Sequence, residues 1–207
     1  MNDPDGEIKT ACIKALAELG DTDTIPHFIA MAEQRPDNIS FDDNEWDVWW
    51  DMQLESIKAL GALKVREAIP AFRNIIEQDD YLDIENELYK AAARIGHEGD
   101  ELLLSILETG GGRARRRVIK ALGNSDTQAT LKPLARALQD EEPEIRQAAL
   151  QALPNRRHAV YYLPVILHLL KDSDAGVRRA AVKAVTNISS QDQHAEKAPD
   201  QASLIQK

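Results

Sequence analysis

A single cysteine, Cys12, is present among 207 residues, so no disulfide forms within the chain and no cross-linked framework defines its fold. Its apolar helical surroundings mark it as a small buried hydrophobe rather than a reactive thiol. Aromatic residues make up only 5% of the chain, which leaves Ala, Leu and Ile to do the packing and points to helices that approach closely at small residues. No segment approaches the ~20 uninterrupted apolar residues of a membrane helix. The N-terminal MNDPDGEIKT has no basic stretch ahead of an apolar one, so a cytoplasmic, reducing location is expected, without membrane contact. His27, His97, His158, His168 and His194 are scattered, with no H-x-x-x-H or H-E-x-x-H spacing, and neither a metal nor a cofactor is expected. Basic residues are scarce in the first half: residues 1–112 carry 25 acids against 9 bases, a net of −16, whereas residues 113–207 carry 10 acids against 16 bases, a net of +6. A net-acidic chain is a poor general binder of nucleic acid. Its opposite-charge ends are either ordinary solvated helical faces or surfaces for different partners, a second copy of the chain included.

What the chain does have is one phrase written six times. IKALAEL surrounds Ala15, IKALGAL Ala59, YKAAARI Ala91, IKALGNS Ala121, LQALPNR Ala152 and VKAVTNI Ala184. The last five anchors are 32, 30, 31 and 32 residues apart, a period that belongs to stacked helical hairpins. Between Ala15 and Ala59 the interval is 44, so about a dozen residues are inserted there by comparison with the roughly 30-residue period of such units.

The unit containing PEIRQAALQAL places Ile145, Ala148, Ala149, Ala152 and Leu153 on one face of a first helix. Pro154-Asn155-Arg156-Arg157 breaks it, and VYYLPVILHLLKD supplies a second helix with Pro164 near its first turn, where a missing amide costs nothing. Pro26, Pro70 and Pro133 recur at the same offset, 11 or 12 residues after their anchors. The expected fold is therefore all-α, one elongated solenoid over residues 1–190 with an insertion at about 35–51. The polar, aperiodic run over residues 191–207 reads as a disordered tail.

The run ACIKALAELGD at Ala11 to Asp21, the D-x-D-x-x-V-R run at Asp172 to Arg178 and the related Asp140 to Arg146 resemble HEAT repeats, in detail the short bacterial HEAT-like type also seen in phycobilin lyase subunits. The resemblance covers about residues 3–190 and implies a right-handed superhelix of about five to six hairpins. It also implies a ladder in which an Asp of one inter-unit turn meets the Arg of an adjacent first helix. Arg115, Arg146 and Arg178, each six residues before its anchor, match the Arg position, and Asp140 and Asp172 the Asp position. The same slot in the first three units holds Lys9, Gln53 and Glu85, so the ladder is expected to lapse toward the N-terminus. His97-Glu98 resembles one of the pairs with which deoxyhypusine hydroxylases, also HEAT-like, bind two irons, but it stands alone.

Two segments are not explained by repeat packing. The insertion mixes Trp46, Trp49 and Trp50 with Asp43, Asp47 and other acids, and no Lys or Arg occurs between Arg35 and Lys58. Aromatic rings among carboxylates suit a basic or amphipathic protein partner. Alternatively the rings fold inward and thicken the core, Trp46 and Trp50 being spaced to do so together on a helix starting near Asp43. Gly110-Gly111-Gly112 followed by Arg113-Ala114-Arg115-Arg116-Arg117 offers Arg113, Arg116 and Arg117 as a basic contact, without the order of a phosphate-binding P-loop. The functional expectation is a noncatalytic protein-binding scaffold that uses its concave face and the Trp/Asp-rich insertion. The rival expectation is a lyase-like subunit holding a tetrapyrrole and its acceptor protein.

Overall fold

The computed structural model describes residues 5–34, 45–78 and 83–197, with side chains over 5–34, 49–78 and 83–190. The described residues form eleven α-helices: α1 (Gly6–Leu19), α2 (Ile25–Glu33), α3 (Glu45–Ala62), α4 (Ile69–Glu77), α5 (Glu85–Ile95), α6 (His97–Thr109), α7 (Gly112–Leu122), α8 (Leu131–Ala137), α9 (Pro143–Ala152), α10 (Leu163–His168) and α11 (Ala175–Lys197). They pair as five hairpins followed by α11, an all-α solenoid. First helices touch in sequence, α1 on α3, α3 on α5, α5 on α7, α7 on α9 and α9 on α11.

Local sequence sets the ends. Asp5 caps α1 by accepting from the Glu7 and Ile8 amides at 2.8 and 3.3 Å. Gly20, in the left-handed region at φ 69°, closes the helix with its amide on the Ala17 carbonyl and that of Asp21 on Leu16. Most units then make one 3₁₀ turn and enter the second helix, whose first residues include Pro26, Pro70 or Pro164. Pro133 is the third residue of α8. The third unit lacks both devices, and Gly96, at φ 109°, alone joins α5 to α6.

The insertion is continuous with the second unit from Glu45 onward. No Gly or Pro interrupts the chain between Glu45 and Gly61, so the first helix of that unit reaches 18 residues where α5 and α7 have 11. At the other end α11 continues to Lys197, past the boundary expected at residue 190, because Gln, Ala, Glu and Lys sustain a helix and no proline occurs before Pro199. Residues 198–207 of the expected tail lie outside the described residues.

The repeated phrase is a record of burial. Two residues before the first five anchors stand Ile13, Ile57, Tyr89, Ile119 and Leu150, all within 1% of complete burial, and removing such a side chain from water stabilises by roughly 1.5–3 kcal/mol. The anchors bring backbones together. A Cβ on Gly61 would lie 2.6 Å from the Cα of Ala91, and one on Gly123 would lie 3.0 Å from the Cα of Ala152. The glycine two residues after one anchor is thus the seat of the next. Gly61→Ala, measured by urea denaturation, should lose about 1–3 kcal/mol through overpacking, while Gly111→Ala, with nothing within 4 Å of the added carbon, should leave the midpoint unchanged.

Candidate binding surfaces

The charged slot six residues before each anchor lies at the joint between units. In the C-terminal units it does what the sequence implies. Arg115 donates to Asp140 and to Glu142, the latter at 3.2 Å, and Arg146 grips Asp172 through Nε at 2.9 Å and Nη2 at 2.7 Å. Arg146 also holds the turn before its own helix, donating to the Asp140 and Glu141 carbonyls, as Arg178 does to Asp172 and Ser173. Arg146 thereby staples its own turn to the following one, while Arg115 makes only the bond to the next turn and Arg178 only the bond to its own.

Earlier in the chain the slot stays buried but the chemistry changes. Lys9 is 1% exposed and its ammonium has no hydrogen-bond partner within the described residues. Gln53 donates to the Ala32 carbonyl at 2.9 Å. Glu85, 2% exposed, accepts from Arg117 and lies 3.4 Å from Arg113. Two of the three arginines expected to form an outward basic contact are thus engaged in the joint, because a buried carboxylate requires a paired cation. Arg116 makes no ion pair among the described residues and lies half-buried in a shallow groove with Lys120, Glu144 and Gln147.

The tryptophans divide. Trp49 is 7% exposed and belongs to the core with Met52 and Ile57, so it thickens the stack and offers no accessible anchor. Trp50, one step around the helix, is half-buried and lines a cleft of about 450 Å³ with Asp51, Leu54, Asp83 and Ile84. Of Trp46 and Asp47 only the backbone in α3 is described, and Asp43 lies outside the described residues. On the second helices His27, Arg73, Arg136 and His168 are all exposed.

The model of HEAT repeats matches residues 100–161 and 143–199. Residues 100–199 are HEAT repeats. Among solved structures the chain is similar to an engineered protein at 20% identity (91% of this chain, 93% of that one, TM-score 0.43). It is also similar to human deoxyhypusine hydroxylase in complex with glycerol at 17% identity (91% and 82%, TM-score 0.44). A third is a designed armadillo repeat protein in complex with the peptide (KR)4, at 14% identity (90% and 95%, TM-score 0.41). No curated protein matches the chain. Among the described residues no helix is long and apolar enough to cross a membrane, and no three His, Cys, Asp or Glu side chains are grouped to hold a metal.

Within the HEAT segment one buried polar cluster escaped sequence reasoning. Asp100, 2% exposed at the start of α6, accepts through Oδ2 from the hydroxyls of Ser125, at 2.8 Å, and Thr127. Arg156, 6% exposed after α9, donates to the carbonyls of Leu122 and Thr127. Three successive HEAT units are tied by these bonds. A cleft of about 500 Å³ beside them is lined by Ser125, Asp126, Asn155, Arg156, Arg157 and His158. The available signal was positional: Arg156 stands four residues after its anchor, where Ile95, Ser125 and Ile188 are buried.

Asp100 and Asp172 respond oppositely to pH. Burial raises the Asp100 carboxyl, against the lowering pull of Thr127, Ser125 and Arg156, so its ionisation costs stability as pH rises through its folded-state value. The hydrogen bonds from Arg146 hold Asp172 below the usual carboxylate range, so its stabilisation is present above about pH 4 and is lost as pH falls through the folded-state value. In urea melts at neutral pH, Asp100→Asn should therefore gain stability and Asp172→Asn should lose on the order of 1 kcal/mol. Both differences should shrink toward acid pH.

Proposed function

We propose that the chain is a noncatalytic protein-binding scaffold whose acidic half takes a basic or amphipathic segment of another protein against Trp50. HEAT-type repeats are a fold commonly used for protein binding. The observation that carries the reading is the cleft that the half-buried indole of Trp50 lines together with the acids Asp51 and Asp83 and the aliphatic Leu54 and Ile84. The face of an indole attracts a Lys or Arg head group and the neighbouring acids select its sign. The apolar floor accepts the methylene stem or an adjoining aliphatic residue. Trp46 and Asp47 precede Trp50 and Asp51 by one turn of α3 and extend the same acidic, aromatic stretch, with Asp43 ahead of them in sequence.

The net charge of −16 over residues 1–112 steers such a segment to the cleft at low salt and loses that effect as the Debye length falls below about 8 Å. The partner then runs over the face of the second helices, where Arg73, Arg136 and His168 are exposed. Arg116 and Lys120 provide a separate contact for an acidic patch of the partner.

Titration of tryptophan fluorescence with a Lys/Leu-alternating peptide, with a Glu/Leu peptide as control, tests the reading. The basic peptide should bind in a salt-sensitive manner and the acidic one should not. Trp50→Ala should weaken binding about tenfold or more, equivalent to about 1.4 kcal/mol, at an unchanged melting temperature. Trp49→Ala should instead lower stability by about 3–5 kcal/mol. Equal affinity of wild type and Trp50→Ala would remove the cleft from the binding surface.

A further inference from the structure

Repeat register gives the residues of α1 and α11 counterparts in the inner helices, and the comparison shows which of their edges no other described residue covers. Anchors Ala59, Ala91, Ala121, Ala152 and Ala184 are at most 4% exposed, whereas Ala15 is exposed. Three residues before each anchor Ser56, Leu88, Val118, Ala149 and Ala181 are 0% exposed or fully enclosed, whereas Cys12 is half-buried. Seven residues before, Met52, Ile145 and Val177 are 0% exposed, whereas Ile8 is 46% exposed. Four residues after, Ile95, Ser125, Arg156 and Ile188 are buried, whereas Leu19 is 80% exposed. Ile8, Cys12, Ala15 and Leu19 form one edge of α1, the edge that a preceding unit covers elsewhere in the stack.

The opposite edge is bare on α11. Val182 is 56% exposed, while its counterparts Ile13, Ile57, Tyr89, Ile119 and Leu150 are at most 1% exposed. Arg178, in the slot where Arg146 grips the next turn, spends one guanidinium nitrogen on the Asp172 and Ser173 carbonyls and is otherwise exposed. Thr186 is exposed two residues after its anchor, at the position from which Gly61 and Gly123 meet the following anchors. The balance of charge is complementary: Arg178, Arg179 and Lys183 lie along α11, while Glu7, Glu18 and Asp23 are exposed on and just after α1 against one exposed base, Lys14.

We propose that a second copy of this chain covers these edges head to tail, the Arg178, Val182 and Thr186 edge of α11 packing on the Ile8, Cys12, Ala15 and Leu19 edge of α1 of the next copy. The contact continues the stack across two chains and is heterologous, so a pair keeps one free edge of each kind, the α1 edge of one copy and the α11 edge of the other, and can add further copies. It is independent of the Trp50 cleft.

Sedimentation of the 207-residue chain decides the matter. The wild type should pass from 23.1 kDa to progressively larger species as concentration rises, and should dissociate between about 0.05 and about 0.5 M salt as screening removes the end-to-end attraction. Ala15→Glu and Val182→Glu alter exposed positions, and circular dichroism should show each variant folded. Each alone should weaken association about tenfold or more, with Leu19→Glu as a second probe of the N-terminal edge. A mixture of Ala15→Glu and Val182→Glu should recover one contact and stop at twice 23.1 kDa, because the complex joins the intact N-terminal edge of one variant to the intact C-terminal edge of the other. A wild type that stays at 23.1 kDa throughout, or that associates only after truncation at Lys197, overturns the proposal. So does association that survives the single substitutions, or a mixture that behaves as its separate components.

Discussion

Two joints of this stack depend on first helices coming close enough for backbone to meet backbone. Gly61 lies against Ala91 and Gly123 against Ala152, and an interior packed at crystal-like density has no slack to receive an added methyl there. That approach fixes the spacing of the stack, and the spacing fixes which side chains sit in the joints. The low aromatic content belongs to the same constraint, since helices that pack on Ala and Gly leave little room for rings. Trp49 fits because it lies on the extension of α3, ahead of the repeated phrase.

Once the helices are that close, any charged residue at the joint is taken out of water, and its identity decides how the joint is held. Arginine suits it best, because the planar guanidinium reaches both a carboxylate and the carbonyls of its own turn, as Arg146 does. Glutamate suits it only if the neighbouring helix supplies cations, as Arg117 and, from a more exposed position, Arg113 do for Glu85. The same rule bears on Asp100: two hydroxyls and the nearby Arg156 offset only part of a burial that still favours the neutral acid.

The fold was legible because the repeat is made of the residues that bury, and periodic burial leaves a periodic sequence. The anchors, the proline offsets and the Arg–Asp ladder were all readable for that reason. The finer phycobilin lyase type of repeat rests on the resemblance alone. The candidate surface was less legible. Trp49 and Trp50 are adjacent and chemically identical, and which of them faces the core depends on the rotation of α3 against α1 and α5. Arg116 and Arg117 differ only by the position of Glu85, 32 residues earlier in chain. Asp100, Ser125, Thr127 and Arg156 come from three units, and nothing in their local sequence announces that they meet.

Glu85 also limits how such a protein can change length. From Arg115 onward each joint takes the same arginine and aspartate, so a unit gained or lost there finds a compatible neighbour. The joint between α5 and α7 is keyed differently: its acid comes from the earlier unit and its cations from the later one. Removing the third unit would leave Arg117 facing Gln53's unit without a carboxylate, and duplicating it would bury a second glutamate with no arginine behind it. At this slot the C-terminal units share one lock, whereas the third and fourth are keyed to each other through Glu85.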